Sequence, residues 1–183
     1  MANSLAKWHA EHVTFGKLLD GLESQLELFH DALTPHYELM LDIMFYMTQY
    51  ADVVHHPKED LAFARIKACA PQVAGIVEEL DVQHEDLRRM GAALVVQLSD
   101  IFNGAIASRM EVETLARDYI ATFREHIAFE ERKILPMAAQ LLVAADWAAI
   151  DAALRHTDDP LFRQDPEPRY ALIVRHLTEG AQA

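Results

Sequence analysis

Residues 5–33 read LAKWHAEHVTFGKLLDGLESQLELFHDAL. Apolar residues recur in this stretch every three or four positions, which places them along one face of an α-helix about eight turns long. The stripe is apolar except at one histidine. Its members are Leu5, Trp8, His12, Phe15, Leu19, Leu22, Leu26, Phe29 and Leu33. Thr34 and Pro35 then predict the end of the helix.

Three further stretches, 36–70, 71–104 and 110–144, show the same periodicity and predict three more long helices. Pro57 lies inside the second stretch and removes a backbone donor, so we expect a kink or a break near Val53. The second stripe comprises Met40, Met44, Met47, Ala51, His55, Glu59, Phe63 and Ile66. The third comprises Ile76 or Val77, Leu80, His84, Leu87, Gly91, Leu94, Leu98 and Ile101. The fourth comprises Val112, Leu115, Tyr119, Phe123, His126, Glu130, Ile134, Met137 and Leu141.

Four long amphipathic segments with short connections predict an all-α fold, an up-down-up-down four-helix bundle over residues 1–145. The 6 Gly and 7 Pro of the whole chain are too few for a β architecture with many turns. Turn signals and two short apolar stretches beyond the fourth helix predict a C-terminal helical extension, residues 146–183, packed on the bundle.

Composition excludes several classes of function. The net charge of −13 repels phosphate groups, so we expect neither a nucleic-acid partner nor a membrane surface. Cys69 is the only cysteine, which excludes an internal disulfide and a thiolate-rich metal site, and we expect it to be a small buried residue. Residues 1–8 lack a signal-peptide apolar core, and no apolar run reaches ~18 residues. We therefore expect a cytoplasmic protein.

Residues that can bind metals interrupt all four apolar stripes. On the second and fourth stripes, a histidine precedes a glutamate by four residues, so one imidazole and one carboxylate lie a turn apart on the same helix face. Buried carboxylates are costly unless a positive charge compensates them. The six interrupting residues are His12, His55, Glu59, His84, His126 and Glu130.

The distribution of these residues predicts a site for two metal ions. A single histidine in a helical stripe is more often a hydrogen-bonded core residue, but six such residues on four stripes favour a shared site. We expect one ion to take His12 and His55. We expect the other to take His84 and His126, with both glutamates bridging. His56 is either a partly exposed histidine packed on Pro57 or a further ligand.

The motifs that hold these residues resemble the hemerythrin-like family, also called the HHE cation-binding domain family. They are Glu11-His12, residues 50–60 (YADVVHHPKED), His84-Glu85 and residues 126–131 (HIAFEE). The resemblance covers about residues 5 to 140. It implies a non-heme di-iron centre that is bridged by carboxylates and by an oxo or hydroxo group. By motif position, the six residues above match family ligands.

One departure from the family pattern bears on His56. Members that carry oxygen have two histidines one turn apart on the third helix, whereas Leu80 and Arg88 flank His84 here. Some relatives place an extra ligand directly after the second-helix histidine, which is the position of His56. The resemblance therefore favours His56 as a seventh ligand, and the departure argues against simple reversible oxygen carriage.

Three functions follow as hypotheses. The first is a di-iron protein that binds or reacts with a small ligand such as oxygen, nitric oxide or peroxide, or that holds iron itself. The second is a di-iron enzyme that consumes peroxide or nitric oxide. The third is an interaction bundle that metal merely stabilises, with a protein partner that the sequence does not identify. Zinc or manganese could replace iron at imidazole and carboxylate ligands.

Overall fold

Every regular element in the described part of the chain is helical. The computed structural model describes residues 2–154, 157–163 and 167–179. The α-helices are α1 Ala2–His30, α2 Tyr37–Tyr46, α3 His56–Cys69, α4 Ala74–Phe102, α5 Arg109–Phe129, α6 Leu135–Leu141, α7 Ala144–Ala153 and α8 Ala171–Glu179. Short 3₁₀ turns occupy Pro71–Val73, Pro160–Phe162 and Pro168–Tyr170. The predicted all-α bundle is confirmed.

Two wide π-helical segments join α2 to α3 and α5 to α6 without interrupting the backbone. The first π segment is Met47–His55, and the second is Glu130–Ile134. The bundle therefore has four long rods: the first is α1, the second is α2 with the first π segment and α3, the third is α4, and the fourth is α5 with the second π segment and α6. Pro57 is the second residue of α3, and Pro136 is the second residue of α6. The kink predicted near Val53 is therefore a widened helical segment that precedes the proline, and not a break.

The predicted stripes form the core. All eight members of the second stripe are buried, and so are most members of the other three. Leu33 is an exception, because α1 ends at His30 and leaves the Leu33 side chain 58% exposed. The expectation for Cys69 was also wrong: it is the last residue of α3 and its side chain is exposed.

The helices after the fourth rod pack on the bundle. Helix α7 contacts α3, and α8 contacts α1 and α2. Gly21 permits the contact between α1 and α8, because a Cβ at position 21 would collide with the His176 ring. Parts of the predicted extension, residues 155–156, 164–166 and 180–183, lie outside the described residues, and its boundary at residue 146 stays a prediction. Over the described residues, no single helix has the length and apolar character needed to cross a bilayer.

Asp146 fastens α7 to α3. One carboxylate oxygen accepts from the Val143 backbone N–H at 2.9 Å, and the other accepts from Arg65 Nε at 2.6 Å. The Val143 bond first, and then Arg65, hold the pKa of Asp146 below its ordinary value of 3.8. A carboxyl whose folded pKa is depressed stabilises the fold above its unfolded pKa, and this contribution is lost as the pH falls.

We predict that Asp146→Ala lowers the thermal unfolding midpoint at pH 7, because α7 loses both its cap and its link to α3. The fluorescence of the buried Trp147 should also become more accessible to a soluble quencher. The difference from the unmodified chain should shrink as the pH falls below 3.8 and through the lowered folded-state pKa of Asp146. The control Asp118→Ala removes an exposed carboxylate on α5. Equal midpoints for the two variants at pH 7 would contradict this role of Asp146.

Candidate metal centre

A polar layer separates two apolar clusters inside the bundle. One cluster surrounds Phe15, Met44 and Phe123, and the other surrounds Phe63 and Trp147. All seven residues predicted as ligands lie in this layer, and none of them is more than 4% exposed. They are His12, His55, His56, Glu59, His84, His126 and Glu130.

Both π segments contain or adjoin buried residues of the polar layer. On a regular α-helix, consecutive residues diverge by about 100°, so His55 and His56 would face different directions. Here the first π segment ends at His55 and α3 begins at His56, and both side chains are buried. The second π segment begins at Glu130, which is fully buried. Short π-helical insertions of this kind are frequent at functional sites.

Ligand-capable atoms form two groups that share one carboxylate. In each group, one atom from every residue lies within 4.8 Å of the others. The first group is His12, His55 and Glu59. The second group is His56, Glu59, His84 and His126. Glu59 thus lies where a carboxylate could contact two ions, and His56 joins the second group.

Glu130 belongs to neither group, but its carboxylate lies close to histidines of both. Its Oε2 is 3.3 Å from His12 Nε2 and 3.4 Å from His126 Nε2, and its Oε1 is 3.9 Å from His84 Nε2. Neither carboxylate oxygen has a hydrogen-bond partner among the described residues. A fully buried carboxylate without a donor is costly, and a bound cation would satisfy it.

The outward nitrogens of four histidines are held by a closed ring of contacts. Each Nδ1 lies opposite a side-chain oxygen from the preceding helix of the bundle, and the fourth helix completes the ring by holding the first. The pairs are Glu11 with His55 at 2.8 Å, Asp60 with His84 at 2.7 Å, Gln83 with His126 at 3.0 Å, and Glu131 with His12 at 2.8 Å. Such partners fix the ring orientation and tautomer of metal-binding histidines.

This ring leaves the inward nitrogens facing one another. When Nδ1 carries the hydrogen that the oxygen accepts, a neutral imidazole has only a lone pair at Nε2. Yet His12 Nε2 lies 3.2 Å from His55 Nε2, and His84 Nε2 lies 3.2 Å from His126 Nε2. Opposed lone pairs at this distance repel each other unless a proton or a metal ion lies between them. His12 Nε2 also accepts from the Trp8 indole N–H at 3.0 Å, a bond that a metal ion on this nitrogen would displace. The two groups of donor atoms therefore fit a cation on each side of the layer.

The electrostatics show the same need for positive charge. Burial alone would lower the pKa of His12, but Glu130 and Glu59 outweigh it and raise that pKa to about 10. The pKa of His84 is also raised to about 10, because Asp60 and Glu59 outweigh its burial. Burial, together with the charge of Glu59, raises the pKa of Glu130 to about 7. Without a metal ion, protons on the histidines would offset the buried carboxylates.

The histidine-holding residues Glu11, Asp60, Gln83 and Glu131 were missed by the sequence reasoning. Each directly neighbours a predicted ligand in the chain, and Glu11, Asp60 and Glu131 also lie inside the quoted family motifs, so both signals could have indicated them. Among the tyrosines near the site, Tyr50 donates its hydroxyl hydrogen to Glu11 at 2.7 Å. Tyr46 instead donates to Asp159, and the Tyr119 hydroxyl has no partner among the described residues.

The fold and the buried cluster together define a helical-bundle protein whose interior fits a metal site. Comparison with protein families gives the same class. The family model described as the Hemerythrin HHE cation binding domain matches residues 3–138. The chain therefore belongs to the hemerythrin HHE cation-binding family. Comparisons with curated proteins and with solved structures gave no significant match.

We predict that Glu11→Gln lowers metal affinity roughly ten- to a hundredfold, because the neutral amide no longer supports His55 as a metal donor. Gln83→Glu should act in the opposite direction by placing a carboxylate behind His126. Competition with a chelator measures both effects. Glu27→Gln removes the same charge from the exposed side of α1 and is the matched control. Affinity that is the same in Glu11→Gln as in the control would exclude a supporting role for the ring.

Proposed function

We propose that the polar layer holds two metal ions, and that these are iron. The support is the arrangement of the two ligand groups around Glu59. The first ion would take His12 and His55. The second would take His56, His84 and His126. Glu59 and Glu130 would serve both ions.

The donor set supports iron without excluding substitutes. It contains imidazole nitrogens and carboxylate oxygens, which suit iron and also zinc or manganese. Sulfur is absent from both ligand groups, and the only cysteine, Cys69, is exposed at the end of α3. Family membership supports a cation, and the redox chemistry that we propose requires iron rather than zinc.

The two ions would differ in the number of protein donors. The first would have two histidines and two carboxylates, and the second would have three histidines and the same two carboxylates. The first ion would therefore keep more coordination positions for a small ligand. We propose that this ligand is oxygen, nitric oxide or peroxide. When bound, an iron pair supplies the electrons for such a ligand.

The chain's own residues would control that reactivity. The two apolar clusters limit the access of water from either end of the bundle. The ring of side-chain oxygens holds four histidines in one tautomer. The net charge of −13 supports a small molecule, and not a nucleic acid, as the ligand.

Iron content and an optical spectrum test this proposal. Protein expressed in iron-supplemented medium should contain about two irons per chain, in line with the two ligand groups. We expect near-ultraviolet bands of an oxo-bridged pair that bleach on anaerobic reduction and return in air. A folded protein that takes up no iron and has no such bands would contradict the proposal.

We predict that His126→Ala and Glu130→Ala each reduce metal content and abolish most of the metal-dependent stabilisation. Binding to the folded state alone contributes about 2.7 kcal/mol when free metal exceeds Kd a hundredfold. Metal analysis and thermal unfolding with and without metal measure the two effects. His30→Ala and Glu125→Ala remove comparable side chains from exposed positions and serve as controls. Unchanged stoichiometry in both site variants would exclude the assigned site.

A further inference from the structure

The indole N–H of Trp8 is bonded to an atom of the first ligand group. Trp8 Nε1 lies 3.0 Å from His12 Nε2 and donates to it in the interior of the bundle. The other ring nitrogen of His12, Nδ1, lies 2.8 Å from the Glu131 carboxylate. Because an indole N–H only donates, the contact uses the Nε2 lone pair of a neutral His12. The same lone pair would bind the first metal ion.

Aromatic packing keeps the Trp8 side chain beside the polar layer. Its ring meets the Trp147 ring edge-on, with centroids 6.2 Å apart, and its centroid lies 6.1 Å from that of Phe63. Only 5% of Trp8 is exposed. In the described part of the chain, its indole nitrogen has no hydrogen-bond acceptor other than His12. A metal ion on His12 Nε2 would remove this acceptor, and a buried donor without a partner is costly.

A small space beside Trp8 offers room for a new acceptor. Its lining includes Trp8, His55 and Glu59, and its free volume is about 10 Å³. This volume is close to the least that holds one water molecule. His55 and Glu59 belong to the first ligand group. A small ligand on the first ion would therefore share this space with the indole N–H.

Two ammonium groups also border this space, but each already faces a carboxylate. Lys58 Nζ lies 2.8 Å from Asp151, and Lys7 Nζ lies 3.8 Å from Glu11. The Trp8 N–H differs from both, because it is bonded directly to an atom that would bind the metal ion. It is therefore the donor that metal binding would release.

We propose that Trp8 determines ligand specificity: its N–H occupies His12 in the metal-free chain, and once the first ion binds it donates a hydrogen bond to an oxygen atom of the small ligand there. The hydrogen stays on the indole nitrogen. The inference rests on the proposed function and adds the residue that favours dioxygen and peroxide over nitric oxide. Dioxygen and peroxide on iron place more negative charge on oxygen, and charged acceptors form stronger hydrogen bonds. A ligand that leaves the buried donor unpaired is penalised.

Zinc binding to the unmodified chain tests the release of the indole without redox chemistry. The chain has two tryptophans, so a ¹⁵N-labelled sample gives two indole signals in an NMR spectrum. The variant Trp147→Phe assigns them. We expect zinc to move the Trp8 indole proton signal to higher field, because the proton loses its acceptor, and to move the Trp147 signal much less. An unmoved Trp8 signal in protein that holds two zinc ions would overturn the proposal.

The variant Trp8→Phe removes the N–H and keeps an aromatic ring beside Phe63. Its matched control is Trp147→Phe, the same change at a buried tryptophan whose indole nitrogen has no hydrogen-bond partner among the described residues. We expect Trp8→Phe to bind zinc roughly two- to tenfold more tightly than the control, because the ion no longer displaces a hydrogen bond. Chelator competition measures the affinity, and weaker binding than in the control would contradict the proposal.

The same substitution should have the opposite effect on the small ligand. In anaerobically reduced, iron-loaded protein, we expect Trp8→Phe to slow the reaction with dioxygen on the order of tenfold, because a hydrogen bond to a charged acceptor is lost. Nitric oxide binding should change much less, and the control should resemble the unmodified chain. Stopped-flow absorbance follows both reactions.

An unchanged dioxygen rate in Trp8→Phe, or equal slowing of dioxygen and nitric oxide, would overturn the role of Trp8, because a residue that only packs would not distinguish the two ligands. Iron content is measured first for every protein. Fewer than two irons in the unmodified chain would refute the proposed function itself, and this inference with it.

Discussion

Two carboxylates and five imidazoles buried in an apolar bundle are the constraint on which the rest of this structure depends. Glu59 and Glu130 are at most 1% exposed, and isolated charges at such positions are not tolerated without compensation. Protons on His12 and His84 can offset part of the charge, and His12 Nε2 lies 3.3 Å from Glu130 Oε2, but neither oxygen of Glu130 has a well-formed hydrogen bond among the described residues. Metal cations bound in the layer would compensate both carboxylates and would lie between the opposed imidazole nitrogens.

The contacts in the ring around the centre both join neighbouring helices and orient the histidine side chains. Each of the four rods contributes a histidine to the layer and contacts a histidine of the next rod, so a shift of one rod would disturb two histidines. The final contact, from Glu131 to His12, closes the bundle between its last and first rods. The layer also divides the apolar interior into two clusters. Metal binding should therefore stabilise the bundle where hydrophobic packing is interrupted.

Sequence periodicity predicted the rods and the buried histidines and glutamates of the layer, because a polar residue stands out in an otherwise apolar stripe. A helical wheel separates His55 from His56 by about 100°, whereas both side chains are buried where the π segment meets α3. The ring was invisible for a different reason: Glu11 and Asp60 contact histidines on other rods, and spacing along one helix carries no such information. Leu33 continued the stripe in sequence but lies beyond the end of α1.

Anomalous diffraction at the iron absorption edge, from crystals of iron-loaded protein, would locate the metal ions in the bundle. We expect two peaks inside the polar layer, one beside His12 and His55 and one beside His56, His84 and His126, with Glu59 between them. One peak alone would contradict the two-ion site. Peaks only at the protein surface would contradict a buried metal centre altogether.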